Sequence, residues 1–112
     1  MDGPFKFNEG GIIFMSKSET DYQADLKKKL ETLFPGIIIL KNDPSYFRGV
    51  PDLTLLYKNK WAVLEVKDAW NAPHRPGQDY YIDMMSHMSF AQFIFPENEE
   101  YVLESLKLYF GG

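Results

Sequence analysis

The chain predicts an α/β fold, a small mixed β-sheet flanked by helices in the order α-β-β-β-α-β-α. Three features lead there. Tyr22, Leu26, Leu30 and Leu33 recur at helical spacing, which marks a helix with one apolar face. Leu53 to Tyr57 and Trp61 to Lys67 are strand-like runs separated only by the polar Lys58-Asn59-Lys60, which makes them a β-hairpin. Beyond the hairpin, helix-like and strand-like segments alternate to the end.

The first helix is expected from about Lys17 to Phe34. Ser16 with Glu19 three residues on forms a capping-box pattern, and Pro35-Gly36 stops the helix. Ile37 to Leu40 is a short β-branched run, read as a buried strand. A loop through Asn42, Asp43, Pro44, Arg48, Gly49 and Pro51 then leads into the hairpin. After it, the loop from Asp68 to Pro76 precedes a helix from about Gly77 to Met88. A strand from Phe90 to Phe95 follows, then a helix from Glu97 to Phe110 with acidic residues where the helix dipole favours them. Residues 1–15 read as an N-terminal extension in which Ile12-Ile13-Phe14 forms an edge strand, and residues 16–112 as one domain.

Composition narrows the function. Hydrophobic residues at 45% and charged residues at 25% are ordinary for a globular chain, which argues against disorder. The absence of cysteine excludes disulfides, thiolate metal sites and thiol nucleophiles. No apolar run approaches a membrane span, so a cytosolic (cytoplasmic) protein with no membrane partner is expected. The net charge of -4 weighs against nucleic acid as a ligand. However, the acids gather towards the C-terminus (Glu97, Glu99, Glu100, Glu104), while Lys41, Arg48, Lys58, Lys60, Lys67, His74 and Arg75 occupy the middle. A local basic surface is therefore expected, with Arg48, His74 and Arg75 as candidate nucleic-acid contacts.

The hairpin carries the chemistry. Strand periodicity puts Glu65 and Lys67 on one face, and pairing across the turn brings Asp52 opposite Glu65 or Val66. Two carboxylates converging there repel each other unless a cation joins them, and Mg2+ or Mn2+ suits such oxygen donors. An ordinary lysine is charged at neutral pH, so Lys67 is expected to orient water or stabilise charge on phosphorus, not to act as a general base. The alternative is a solvated strand face with a weak ion pair. Against it stands Trp61-Ala62-Val63-Leu64 with Val66, a strand apolar on both faces, where two adjacent charges need a reason.

Pro51-Asp52 followed by Glu65-Val66-Lys67 resembles the PD-(D/E)XK nuclease superfamily. Gly49-Val50-Pro51-Asp52-Leu53, Glu65-Val66-Lys67 and Gln78 opening the next helix look like its virus-type replication-repair nuclease (VRR-NUC) branch, over about Ser18 to Phe95. The resemblance implies a restriction-endonuclease-like core. It also implies a metal bound by Asp52, Glu65 and the Val66 carbonyl, with Gln78 supporting the catalytic set. An acid of the first helix often joins such sites, Glu19 being the best placed and Asp21 and Asp25 behind it. The expected activity is metal-dependent cleavage of DNA, branched DNA such as a four-way junction being one substrate. The alternative is an inactive nuclease-like fold that binds nucleic acid or protein. A homodimer is expected, because a two-fold junction is most simply cut by a two-fold enzyme. Tyr80, Tyr81, Met84, Met85, Met88, Phe90, Phe93 and Phe95 offer material for its interface.

Overall fold

Hydrogen bonding along the chain closes the expected sequence of elements around one four-stranded sheet. The structure, a computed structural model, describes residues 5–7, 13–15 and 18–111. In chain order the elements are β1 (Phe5–Phe7), β2 (Ile13–Met15), α1 (Glu19–Leu33), β3 (Ile38–Lys41), β4 (Leu53–Tyr57), β5 (Lys60–Val66), α2 (Gln78–Ser86), β6 (Phe90–Ile94) and α3 (Glu99–Phe110). The sheet runs β3-β4-β5-β6. Its first two pairings are antiparallel, and the β5–β6 pairing, reached by the crossover through α2, is parallel.

The sheet is covered on both faces. Leu53 and Leu55 of β4 share one face with Ala62, Leu64 and Val66 of β5 and Ile94 of β6, and these pack with Tyr22, Leu26, Leu30 and Phe34 and with Val102, Leu106 and Phe110 of α3. Helix α2 lies on the other face, against β5 and β6. Tyr22 ties the two outer helices together, its hydroxyl donating to Glu99 Oε1 at 2.8 Å while Lys29 holds Oε2 at 2.6 Å. Burial and the Glu99 carboxylate push the Tyr22 phenol far above its ordinary value, which keeps it a donor.

Several boundaries differ from the sequence reading. Ser18 caps α1, its Oγ accepting from the Asp21 N–H at 3.1 Å, because Ser18-Glu19-Thr20-Asp21 repeats the same serine-to-acid spacing. Ser16 lies outside the described residues, as does Ile12. The apolar stripe ends on Phe34, not Leu33. Phe34 leaves helical geometry and turns its ring edge-on to Tyr57 and Phe110 at 5.3 and 5.2 Å. Strand β3 is not buried: it forms the sheet edge, with Ile38 and Leu40 55% and 46% exposed. Ile13–Met15 pairs with Phe5–Phe7 in a separate two-stranded sheet and is no edge of the main one.

The hairpin turn is Lys58-Asn59, since Lys60 already pairs with Tyr57, and Lys58 takes the left-handed φ of 57°. Helix α2 stops at Ser86, where Met85 accepts from the Met88 and Ser89 N–H groups. Asn98 delays α3 to Glu99 by accepting from the Phe95 N–H at 2.8 Å.

One backbone contact fixes the two loops that flank the hairpin end. Gly49 (φ 86°) and Gly77 (φ 89°) meet so closely that a Cβ on Gly49 would lie 2.9 Å from the Gly77 carbonyl carbon. Gly36 has a similar φ of 90° but open space around it. Both glycines carry the cost of a left-handed backbone on substitution, roughly 1–2 kcal/mol, and only Gly49 adds the clash. Gly49→Ala is therefore expected to lower the melting temperature clearly more than Gly36→Ala, and equal losses in thermal melts would contradict this packing.

Candidate active site

The register that pairs Leu53 with Leu64 sets Asp52 and Glu65 side by side at the end of the hairpin. Each strand's carboxylate takes a backbone N–H of the other. Asp52 N–H donates to Glu65 Oε1 at 3.1 Å, and Val66 N–H donates to Asp52 Oδ2 at 2.9 Å. Asn42, at the end of β3, clamps this corner: its N–H donates to the Asp52 carbonyl at 2.8 Å, and its Nδ2 to the Pro51 carbonyl and Thr54 Oγ1, both at 2.9 Å. Asp52 Oδ1 faces outward, 3.8 Å from Lys41 Nζ.

Lys67 follows on the same face as Glu65. Its N–H extends the parallel pairing to the Ile94 carbonyl, and its side chain, only 6% exposed, carries Nζ to 3.7 Å from Glu65 Oε2. Gln78 joins the two charges. Its Nε2 donates to Glu65 Oε2 at 2.8 Å, and its Oε1 accepts from Lys67 Nζ at 2.8 Å and from the Arg75 N–H at 2.8 Å. Lys67 Nζ also donates to the Pro73 carbonyl at 3.1 Å, so no buried side-chain polar atom among the described residues lacks a partner.

Burial, and after it the Asp52 charge, push Glu65 up from its ordinary 4.5 to about 8. Glu19, at the first position of α1, is raised by burial and then by Asp52, with Lys67 and Arg75 acting in the opposite sense. It therefore stands in the field of the site. Among the described residues no three acidic or imidazole side chains form a metal-binding group, so the first coordination shell on offer is the Asp52–Glu65 pair with the adjacent Val66 backbone. That set fits Mg2+ or Mn2+, which commonly take one or two carboxylates and keep several waters. The Asp52 repulsion, which adds to burial in raising Glu65, is what a cation between the carboxylates would relieve.

A cleft of about 340 Å³ opens beside Asp52, lined by Arg48, Arg75, Ser45, Gly49, Pro76 and Gln78 among others. Arg48 and Arg75 thus line the same cleft as Asp52, the positive charge that a phosphate contact requires. His74 turns elsewhere. Its ring stacks on Phe93 at 4.3 Å and its Nδ1 lies 2.7 Å from Asp79 Oδ1, so it braces the loop and is not among the cleft's lining residues. Sequence reasoning counted Lys41 only as part of a basic surface and missed Asn42 and Gly77 as parts of the site. A polar pair ending an apolar run shortly before Pro-Asp was a usable signal for the first two, whereas the Gly49–Gly77 contact depends on tertiary structure. No family model, no curated protein and no solved structure matches the chain.

A raised carboxyl pKa makes the folded chain hold a proton that the unfolded chain releases, so this group's contribution to stability falls as pH rises from about 4.5 through about 8. In chelator, Glu65→Gln should match the wild type near pH 4.5 and become progressively more stable than it up to about pH 8. Thermal melts across that window measure the difference, and a gap that narrows with rising pH would contradict it.

Proposed function

We propose that this chain is a Mg2+- or Mn2+-dependent DNA endonuclease hydrolysing phosphodiester bonds. The observation that carries the reading is Asp52 and Glu65 abreast on a strand end, with Lys67 held beside them by Gln78 and two arginines across the same cleft. Asp52, Glu65 and the Val66 carbonyl would hold the ion, with Glu19 in the electrostatic field of Asp52. The chemistry such an ion supplies when bound is neutralisation of the scissile phosphate and a lowered water pKa. Arg48 and Arg75 seat the phosphodiester. Lys67, fixed on two sides by Gln78 and the Pro73 carbonyl, keeps a positive charge pointed at the reacting oxygens. Gln78 is a positioning residue that fixes Lys67 and Glu65 relative to each other.

A second reading, a nuclease-like fold that only binds nucleic acid, is favoured by one observation: both Glu65 oxygens already accept hydrogen bonds, and among the described residues no third acid joins the pair in a metal-binding group. Cleavage separates the two readings. Linear, single-stranded, flap and four-way-junction DNA incubated with Mg2+, Mn2+ or chelator should be cut only with metal. Asp52→Ala, Glu65→Ala and Lys67→Ala should each slow cutting by roughly 100-fold or more. Wild-type rates in Glu65→Ala would remove the assignment. Excess Mg2+ should also raise the melting temperature more at pH 8 than at pH 5, because the ion competes with the proton on Glu65.

The branched-DNA reading extends to a homodimer. Phe90 packs on Tyr109 and Phe93 lies under His74, so both serve the fold. Met88 is 64% exposed just past the end of α2, and it leaves this end of the helix as the contact between copies. Light scattering after size exclusion should give twice the 13.0 kDa of one chain. A single-chain mass at every concentration, with junction cleavage intact, would refute the dimer.

A further inference from the structure

Exposed aromatic side chains occur on α3, at Tyr101, and in the segments that carry the site. Tyr46, Phe47, Trp70 and Tyr80 are 90%, 42%, 66% and 60% exposed, and each lies within three residues of Arg48, Lys67 or Gln78. Three rings form a continuous surface on one flank of the cleft: Phe47 and Tyr80 each meet Tyr81 edge-on, at 5.0 Å, and Tyr81 borders Gly77. These rings stand on built loops. Asp43 accepts from the Ser45 N–H and hydroxyl and, through its carbonyl, from the Tyr46 N–H at 3.1 Å. Trp70 lies at the approach to α3, where its N–H donates to Glu97 Oε1 at 3.2 Å.

Fixed, exposed rings beside a pair of arginines match the two halves of a nucleotide, a flat apolar base and a charged phosphate. In a continuous duplex the base faces are covered by their neighbours, so only unpaired nucleotides can use such rings. Aromatic rings can also serve contact with a second copy of the chain. The neighbouring cleft, however, is lined by Arg48, Arg75 and Asp52, and the centre of a protein–protein interface is normally depleted of charge. We infer that this aromatic rim stacks unpaired bases of a strand whose phosphates lie on Arg48 and Arg75. The site's substrate is then DNA with unpaired nucleotides beside the scissile bond, such as a single strand, gap or flap. This rests on the nucleic-acid reading above and narrows it.

Binding measured in chelator, where no cutting occurs, tests it independently of catalysis. Dye-labelled 20-nucleotide single strands and blunt duplexes of the same sequence are titrated by anisotropy with the full chain and with Tyr46→Ala, Tyr80→Ala and Arg75→Ala, each checked for an unchanged melting temperature. The single strand should bind about tenfold tighter than the duplex. Tyr46→Ala and Tyr80→Ala should each lose about tenfold on the single strand alone, in the range of one stacked base. Arg75→Ala should weaken both ligands and flatten the salt dependence. Equal affinity for both ligands, or wild-type single-strand affinity in both tyrosine variants, would overturn the inference. So would a fall in mass with Tyr80→Ala at unchanged affinity, which would assign the rim to a second copy. Stacking-dependent binding without cleavage in any metal would sustain the inference and remove the nuclease reading instead.

Discussion

Placing Glu65 and Lys67 next to each other inside a sheet face is the constraint that the rest of this molecule answers. Each ion removed from water carries a penalty of several kcal/mol, and a distance of 3.7 Å between them does not offset it without further hydrogen bonds. Gln78 provides those bonds in both directions at once, donating to the carboxylate and accepting from the ammonium. An aliphatic residue there would leave two buried charged groups short of partners. Glutamate would add a third carboxylate to a pair that already repels. The amide is the side chain whose two ends match the two charges.

Gln78 can do this only because the start of α2 is brought down onto the hairpin. The approach is set by backbone against backbone at Gly49 and Gly77, and any side chain on Gly49 would hold the two loops apart. From the opposite side Asn42 grips the Pro51 and Asp52 carbonyls, so Asp52 is fixed by a neighbouring strand and not by its own loop. The corner is therefore determined by three separate stretches of chain, each contributing a polar clamp or a glycine. Arg48 and Arg75 reach the cleft as a result, since they lie one and two residues from the two glycines.

How much of this could be read from the sequence depends on whether a feature is local. The hairpin was legible because alternation and a short polar turn specify register, and register alone sets Asp52 beside Glu65. Gln78 was legible only by resemblance, as a glutamine at a helix start has no distinctive local chemistry. The exposure of β3 was not legible: Ile37 to Leu40 reads as buried on composition, and only the strand order puts it at an edge. Leu33 and Phe34 were exchanged for a similar reason, because the helix unwinds at its last turn and periodicity no longer tells which residue faces the core. His74 looked like a phosphate ligand by position, yet Phe93 and Asp79, distant or unremarkable in sequence, draw it aside.

The acidic total charge, the strongest objection from composition to a nucleic-acid ligand, is resolved by where the acids are used. Glu99 is taken up by Tyr22 and Lys29, Glu97 by the Trp70 backbone, and Glu104 lies beside Lys107. These acids belong to α3 and its approach, and α3 packs on the sheet face opposite α2. Around the cleft the cations Lys41, Arg48, Lys67 and Arg75 face Asp52, Glu65 and Glu19, and the raised Glu65 gives up part of its negative charge near neutral pH, so the local charge is at least balanced. One divalent cation between the carboxylates would turn it decidedly positive. At physiological ionic strength a charge is felt over about 8 Å, so a phosphate arriving at the cleft responds to this local set more than to the sum over the chain. Under the proposed reading, affinity for DNA depends on the occupancy of the carboxylate pair, because an ion held there would supply the positive charge that the composition lacks.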